Sequence, residues 1–287
     1  MLRERLVLGP ILVIALVALI WLDEVAARHG WAPGAVLLGP LLLASILAGC
    51  ELNRIFRLRG VDARALVTAL ACAAGLAASG LPPVLLGVQE GVPGVAIAST
   101  GAALVFVGAL VFYARHQTAD GVVAASGATL LAFVYPGILG GFMLHLRAEH
   151  SAWLLLAILL ITKGYDIGAY FTGRSLGRTK LIPWLSPGKT WEGLIGGVIL
   201  AAVVGAVALP LTLTGERVPP IWVCALLSGV MGLVGQAGDL VASLLKRDAG
   251  LKDYSQTLPG FGGVVDVIDS PLLVGPIAYW ALWIAAT

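Results

Sequence analysis

Hydrophobic residues occur along this chain in long runs that are separated by short polar segments. Nine of the runs approach the length of about 20 apolar residues that a helix needs to cross the hydrocarbon core of a bilayer. A segment in lipid must satisfy every backbone N–H and C=O group internally, and a helix does so. The pattern therefore predicts nine transmembrane helices, at residues 6–22, 34–50, 64–82, 97–114, 121–143, 152–172, 191–212, 221–245 and 271–286.

Composition agrees with this interpretation, because 59% of the 287 residues are hydrophobic and only 12% are charged. That balance is typical of integral membrane proteins. We therefore expect an all-α integral membrane protein, a polytopic bundle of about nine transmembrane helices. Residues 1–120 are expected to hold its N-terminal transmembrane helices, and residues 121–287 the C-terminal ones that carry the motifs described below. The first run is expected to be a retained span, because WLDE at 21–24 stands in place of the small residues of a signal-peptide cleavage site.

Basic residues predict the direction in which the helices cross the membrane. Of the 18 Lys and Arg residues, 14 fall in loops on one side of the nine-span arrangement, three fall on the other side, and Lys163 lies within a span. Lys and Arg accumulate in short cytoplasmic loops. The N-terminus is therefore predicted to be cytoplasmic, and the protein to be integral to the cytoplasmic (inner) membrane.

Charged side chains inside predicted spans are rare and costly, so they are candidates for function. Lys163, Asp166 and Asp239 form this group. Lys163 and Asp166 are three residues apart on one helix, close enough for a simple structural ion pair. Asp239 has no basic residue within four positions, which weakens the same interpretation for it. An ion-coupled transporter would use all three as a relay near the middle of the membrane.

Three carboxylates, Asp239, Asp266 and Asp269, are the ligand type that a hard cation such as Mg²⁺ takes. Asp266 and Asp269 would share one helical face if VVDVIDS at 264–270 begins a helix after the preceding glycine pair. Asp253 is a fourth candidate ligand. The cysteine and histidine residues show no spacing that would indicate a zinc site.

Two further segments present groups that suit a phosphate. The helix that carries Asp239 continues with the polar residues Ser243, Lys246 and Arg247. In the loop before the seventh span, Ser186 is expected to cap a new helix, with Pro187 at its first position and Lys189 in its first turn. The free N–H groups at such a helix start would favour an anion.

These segments occur in an order and spacing that resemble the phosphatidate cytidylyltransferases, also called CDP-diacylglycerol synthases. The family signature has the form S-x-x-K-R-x-x-x-x-K-D, a short spacer, and then P-G-H-G-G-x-x-D-R-x-D. It is similar to SLLKRDAGLKD at 243–253 and PGFGGVVDVID at 259–269. DIGAYFTGR at 166–174 and SPGKTWEG at 186–193 also resemble segments of the family. The resemblance covers roughly the C-terminal half of the chain.

The resemblance implies transfer of CMP from CTP to phosphatidic acid, giving CDP-diacylglycerol and pyrophosphate. It implies Mg²⁺ as a cofactor, with a second, monovalent cation such as K⁺. Membrane lipids and a second copy in a homodimer would be the partners, with no nucleic acid. The active site would face the cytoplasm.

The resemblance also implies roles for individual residues. The metal ligands would be Asp239, Asp266 and Asp269. The catalytic groups would be Ser243, Lys246, Arg247, Lys252 and Asp253. The substrates would be bound by Asp166, Arg174, Ser186, Lys189, Gly262 and Gly263.

Two positions inside the signature depart from the family, which has His and Arg where this chain has Phe261 and Val267. Neither of these side chains can donate a hydrogen bond to a phosphate. The departures keep open an inactive or substrate-shifted relative that acts as a lipid-binding protein. The ion-coupled transporter is the further alternative, although the hydropathy shows no inverted repeat.

Overall fold

The computed structural model describes residues 2–86, 92–114, 119–213 and 218–286. In these ranges the chain forms ten α-helices, one π-helical segment and one two-stranded hairpin. The helices are α1 (Leu2–Arg28), α2 (Ala35–Leu58), α3 (Ala65–Leu86), α4 (Val92–Ala114), α5 (Val122–Ala132), α6 (Leu139–Glu149), α7 (Ala152–Leu176), α8 (Trp191–Thr212), α9 (Ile221–Asp248) and α10 (Val264–Ala286). The π-helical segment is Phe133–Ile138, and the antiparallel strands are β1 (Lys180–Ile182) and β2 (Ser186–Thr190).

Nine helical segments within these ranges are long and apolar enough to cross a membrane, which confirms the predicted all-α polytopic fold. The fifth of them, Val122–Glu149, contains α5, the π-helical segment and α6 in one continuous run. Pro136 lies in the π-helical segment. A proline has no N–H to give to the regular helical ladder, so the ladder is locally rearranged there.

Several span boundaries differ from the prediction, and two of the differences bear on the site. The last helix begins at Val264 and not at 271, so Asp266 and Asp269 lie in its first two turns. VVDVIDS is therefore helical, as the spacing of its acids allowed. The second helix runs on to Leu58 and not to 50, because the polar and basic residues that follow the apolar run are compatible with a helix. Glu51 is thereby placed on α2.

The predicted helix start at Ser186 is wrong. Residues Ser186–Thr190 form β2, and α8 begins only at Trp191. Its N-cap is Thr190, whose hydroxyl accepts a hydrogen bond from the N–H of Gly193 at 3.1 Å. Serine and threonine both suit an N-cap, and the pairing of β2 with β1 decides between the two positions. Pro187 is tolerated because the hairpin has only edge strands.

Small residues let α7, α8 and α9 approach one another closely. A Cβ atom added to Gly168 on α7 would lie 2.7 Å from the carbonyl oxygen of Gly196 on α8. Cβ atoms added to Gly197 on α8 or Gly232 on α9 would lie 2.8 and 2.7 Å from the ring of Tyr165. Helices in lipid depend on such packing, because burial from water does not drive their association. The Gly-rich sequence of α8 therefore serves helix packing.

A buried ionic cluster joins three helices at the end of the bundle where α1 and α6 finish. Nε of Arg147 on α6 lies 2.5 Å from Oδ2 of Asp23 on α1, and the side chains are 5% and 1% exposed. The Asp23 carboxylate also accepts hydrogen bonds from the N–H groups of Gly34 and Val36, at 3.1 and 3.0 Å. A buried charge needs such partners. The cluster ties α1, α6 and the start of α2 together.

Candidate active site

A pair of opposite charges joins α9 to α10 at the other end of the bundle, which we call the site end. Nζ of Lys246 lies 2.7 Å from Oδ1 of Asp266, and the side chains are 10% and 7% exposed. Oδ2 of Asp266 accepts hydrogen bonds from the N–H groups of Tyr254 and Gly263, at 2.9 and 2.8 Å. Asp266 therefore holds the end of α9, the connecting loop and the start of α10 in one arrangement.

The glycines of the turn before α10 are required by backbone conformation and by space. Gly260 and Gly262 have φ angles of 82° and 101°, in the left-handed region that favours glycine. A Cβ atom on Gly263 would lie 2.5 Å from Oε2 of Glu51. Gly262 and Gly263, predicted to bind substrate, thus shape the turn, and the N–H of Gly263 is already used by Asp266.

Glu51 completes this arrangement, and the sequence pattern did not identify it. Its carboxylate accepts hydrogen bonds from the N–H groups of Val264 and Val265, at 2.8 and 2.9 Å, and from the hydroxyl of Ser255 at 2.7 Å. The residue is 6% exposed. The first N–H groups of a helix have no partner inside it, and a negative charge there suits the helix dipole. The signal in the sequence was a single acid directly after the second apolar run.

A second acid–base pair connects α9 to the β-hairpin. Nζ of Lys189 on β2 lies 2.5 Å from Oδ2 of Asp239 on α9, and the side chains are 19% and 37% exposed. The partner of Asp239 therefore comes from 50 positions away in the chain. A strand, and not the first turn of a helix, delivers Lys189 to this place.

The third predicted metal ligand, Asp269, is 5% exposed on α10. Its Oδ1 accepts hydrogen bonds from the N–H and the hydroxyl of Ser270, at 2.6 and 3.2 Å. The helices approach so closely here that a Cβ atom on Gly238 of α9 would lie 2.6 Å from the carbonyl oxygen of Asp269. Asp239 directly follows Gly238, and its charge is near enough to interact with that of Asp269. Asp239 and Asp269 thus lie near each other where α9 contacts α10, whereas Asp266 is paired with Lys246.

The oxygen atoms at this contact are of the kind that a hard cation takes. The contacts given above use Oδ2 of Asp239 and Oδ1 of Asp269, and they leave the second oxygen of each carboxylate available. Both oxygens of Asp266 already accept hydrogen bonds. Over the described part of the chain, no group of three or more His, Cys, Asp and Glu side chains is arranged to hold a metal ion. A cation here would need substrate oxygens or water to complete its coordination, as is common for Mg²⁺.

The other predicted residues make local contacts or are exposed. Arg247 donates to the carbonyl oxygen of Leu251 at 2.9 Å, and Arg174 donates to the hydroxyl of Tyr170 at 2.7 Å. Lys163 and Asp166 form the predicted ion pair within α7, at 3.0 Å. The remaining predicted residues are Lys252 and Asp253, which are exposed, and Ser186 and Ser243, which are partly buried.

Tyr254 anchors the loop between α9 and α10 and was also missed in the sequence. It is fully buried, and its hydroxyl donates to the carbonyl oxygen of Ala242 at 3.2 Å. Nζ of Lys246 lies 5.5 Å from the centre of its ring, a favourable distance for a cation–π contact. Burial raises the pKa of the Tyr254 phenol above its ordinary value, so the hydroxyl remains a donor. An aromatic residue in the spacer YSQTL was the available signal.

The two departures from the family signature both lie beside apolar groups. Phe261 lies against α1, since a Cβ atom on Gly9 would be 3.4 Å from its Cζ. Val267 lines an apolar cavity inside the bundle. Val267 therefore matches its apolar surroundings, whereas Phe261 is 37% exposed beside α1.

Comparison with known proteins agrees with these motifs. A model of the cytidylyltransferase family matches residues 3–285. The phosphatidate cytidylyltransferase of Haemophilus influenzae is 42% identical over 147 residues, which are 50% of each chain. That of Bacillus subtilis is 35% identical over 158 residues, 54% of this chain and 58% of the relative. The uncharacterized protein YnbB of Escherichia coli is 38% identical over 156 residues, 49% of this chain and 51% of the relative.

The alignments with these proteins cover only part of each chain. This chain spans about half the length of the curated relatives it matches. The family model, in contrast, extends over almost the whole sequence. The chain belongs to the cytidylyltransferase family.

Proposed function

We propose that the protein is a nucleotidyltransferase of phospholipid biosynthesis that transfers CMP from CTP to phosphatidic acid, giving CDP-diacylglycerol and pyrophosphate. The observation that carries the proposal is the buried pair of Lys246 and Asp266 at one end of an apolar bundle. A second pair, of Lys189 on β2 with Asp239 on α9, the helix that also carries Lys246, adds to it. Such a place suits a reaction between a charged nucleotide and a lipid phosphate. Family membership and the names of the two phosphatidate cytidylyltransferases support the same reaction.

The chemistry of this transfer needs alignment and positive charge more than proton transfer. An oxygen of the lipid phosphate attacks the α-phosphorus of CTP, and the bond from that phosphorus to the oxygen of the leaving pyrophosphate breaks. The attacking group is already an anion. Catalysis can therefore come from orientation and from neutralisation of charge. Lys189 and Lys246 supply positive charge from the two pairs, and Arg247 and Lys252 add exposed charge nearby.

The acids hold the two lysines in place before substrates bind. Asp266 orients Lys246, and Asp239 orients Lys189. An arriving phosphate can replace one carboxylate oxygen as the acceptor for each ammonium group. Lys246 is largely buried, and a charge acts more strongly where water is excluded. Ser243 on α9 and Asp253 on the loop complete the proposed catalytic set.

We further propose that Asp239 and Asp269 hold Mg²⁺, with Asp266 as a third ligand, and that a monovalent cation such as K⁺ accompanies it. The carboxylate oxygens of Asp239 and Asp269 that remain available support this placement. Bound Mg²⁺ would neutralise and polarise the phosphates of CTP. Oδ1 of Asp266 would become available as a ligand when Nζ of Lys246 donates to a substrate phosphate and no longer to Oδ1.

The orientation and assembly of the protein belong to the same proposal. We infer that the site end faces the cytoplasm from the cytoplasmic membrane, and that the protein acts as a homodimer among membrane lipids. The basic residues of the loops next to this end support the orientation, because such residues accumulate on the cytoplasmic side. CTP is a charged, water-soluble substrate and would reach the site from that side.

A lipid-binding relative that lacks this turnover, or that has shifted its substrate, is the second candidate. The observation that favours it is that Phe261 lies beside α1 and Val267 lines an apolar cavity. A histidine and an arginine at these positions could bond to phosphate, whereas these two side chains cannot.

One assay separates the two candidates. The purified protein in detergent is incubated with phosphatidic acid, labelled CTP and Mg²⁺, and labelled CDP-diacylglycerol is measured. We expect product from the unaltered protein and none from Asp266→Asn. Asp248→Asn is the matched control and should retain activity, because Asp248 pairs with Arg59 at an exposed position. Binding of lipid or CTP without product, with every divalent ion tried, would support the second candidate.

A further inference from the structure

An apolar cavity of about 250 Å³ lies inside the bundle, next to the acids of α10. Its lining includes Leu16 on α1, Ala44 on α2 and Leu159 on α7. On α10 it is lined by Val267 and Ile268, which are the two residues between Asp266 and Asp269 in the sequence. The helix that presents the acids at the site end therefore also forms a wall of this cavity.

The chemistry of the walls selects a hydrocarbon. Among the lining residues only Ser45 has a polar side chain, and its buried hydroxyl has no hydrogen-bond partner in the described structure. Protein interiors contain few voids larger than a water molecule. An apolar cavity of roughly 150 Å³ stays dry and binds benzene. This larger space suits an alkyl chain and offers almost nothing to a nucleotide or a metal ion.

The location of the cavity favours a lipid over a soluble ligand. The lining residues named above all lie in helices long and apolar enough to cross a membrane. The cavity is not fully enclosed, so a hydrocarbon chain can enter it. A lipid whose phosphate binds Lys246, the partner of Asp266 on α10, would have its hydrocarbon part beside the same helix.

We propose that this cavity binds one hydrocarbon chain of the lipid phosphate that reacts at the site end. The proposal rests on the proposed function, because it takes the occupant to be the lipid substrate. Val267 is the specificity-determining residue at the site side of the cavity, because a larger side chain there would narrow the space open to the chain.

The first experiment detects the chain directly and does not depend on turnover. Phosphatidic acid with a photoreactive diazirine in one acyl chain is irradiated with the full-length protein in lipid nanodiscs, and adducts are located by mass spectrometry. We expect adducts on the cavity-lining residues of α2 and α10. Ala44→Phe, which fills the cavity, should lower these adducts by roughly tenfold. Leu43→Phe is the matched control, because Leu43 is 58% exposed on the same helix, and it should leave them unchanged.

The second experiment measures chain selectivity. Ala44→Phe should raise the KM for dioleoyl phosphatidic acid and change little the KM for dihexanoyl phosphatidic acid or for CTP. Val267→Phe is a second variant for use if Ala44→Phe fails to fold. It should change the KM values in the same direction. Adducts confined to the outer faces of the helices, with the same yield in Ala44→Phe, would overturn the proposal. Absence of CDP-diacylglycerol from every phosphatidic acid would count against the proposed function. The adduct pattern would still show whether the cavity binds a hydrocarbon chain.

Discussion

The carboxylate of Glu51 lies 2.8 Å from the backbone nitrogen of Val264, the first residue of α10, although 213 positions separate the two residues in the chain. The bond ties the end of α2 to the start of the helix that carries Asp266 and Asp269. Asp23 does the same for the start of α2 at the opposite end, through Gly34. Each carboxylate satisfies N–H groups that the first turn of a helix leaves without a partner. The shape of the site therefore depends on an acid from the N-terminal half of the chain.

Replacement of Glu51 by alanine should weaken both the fold and the site. Glu51→Ala removes the acceptor for three hydrogen bonds, and we expect a loss of about 1–3 kcal/mol in the free energy of unfolding. Turnover should fall as well, because the start of α10 positions Asp266. Thermal unfolding in detergent and steady-state kinetics measure the two effects. Glu51→Gln keeps an acceptor oxygen and should lose less; equal losses in both variants would contradict a capping role.

Removal of the buried lysine should affect turnover strongly. We expect Lys246→Met to lower kcat by roughly 10²–10³, as does loss of one donor that stabilises transition-state charge in other enzymes. Lys246 and Asp266 are in direct contact, so their effects should not add. The double variant Lys246→Met with Asp266→Asn should be close to the worse single variant. A double variant whose loss equals the product of both single losses would show that the residues act independently.

The hairpin lysine should contribute mainly to nucleotide binding. We expect Lys189→Met to raise the KM for CTP by roughly tenfold or more, since a hydrogen bond to a charged group contributes about 1.5–3 kcal/mol. Lys180→Met is the matched control, because Lys180 is exposed on the other strand of the same hairpin. Its KM for CTP should stay within about twofold, as expected for an exposed charge. Similar changes in the two variants would show that Lys189 acts only through the general charge of the hairpin.

The ionic cluster at the opposite end should matter for stability and not for chemistry. Arg147→Met leaves the buried Asp23 without its charged partner, and we expect a loss of about 3–5 kcal/mol in the free energy of unfolding. Arg28→Met provides the comparison, because Arg28 is 71% exposed in its pair with Glu24 and should cost at most about 1 kcal/mol. Denaturant unfolding in detergent measures both values. Turnover per folded molecule should be unchanged in each variant, and a selective loss of kcat in Arg147→Met would contradict a purely structural role.

Several features of the fold could be predicted because they depend on neighbouring residues alone. The nine spans follow from the length and apolarity of each run, since a helix in lipid satisfies its own backbone. The spacing of Asp266 and Asp269 allowed a helix at VVDVIDS, although the predicted span began only at 271 and the helix begins at Val264. The hairpin was missed for the opposite reason. Ser186 and Thr190 are both suitable N-caps. Residues 186–190 pair with β1 as a strand, so the helix can begin only after Thr190.

The membrane-spanning architecture, the acids and bases available for chemistry, and the motifs of the family can thus be read from local sequence. Which of these groups are partners depends on the folded arrangement of the helices: Asp266 pairs with Lys246, Asp239 with Lys189, and Glu51 with the start of α10. The physical reason lies in helix packing. Hydropathy identifies a helix but does not say which of its faces meets a neighbour, and that choice depends on close contacts such as Gly238 against Asp269.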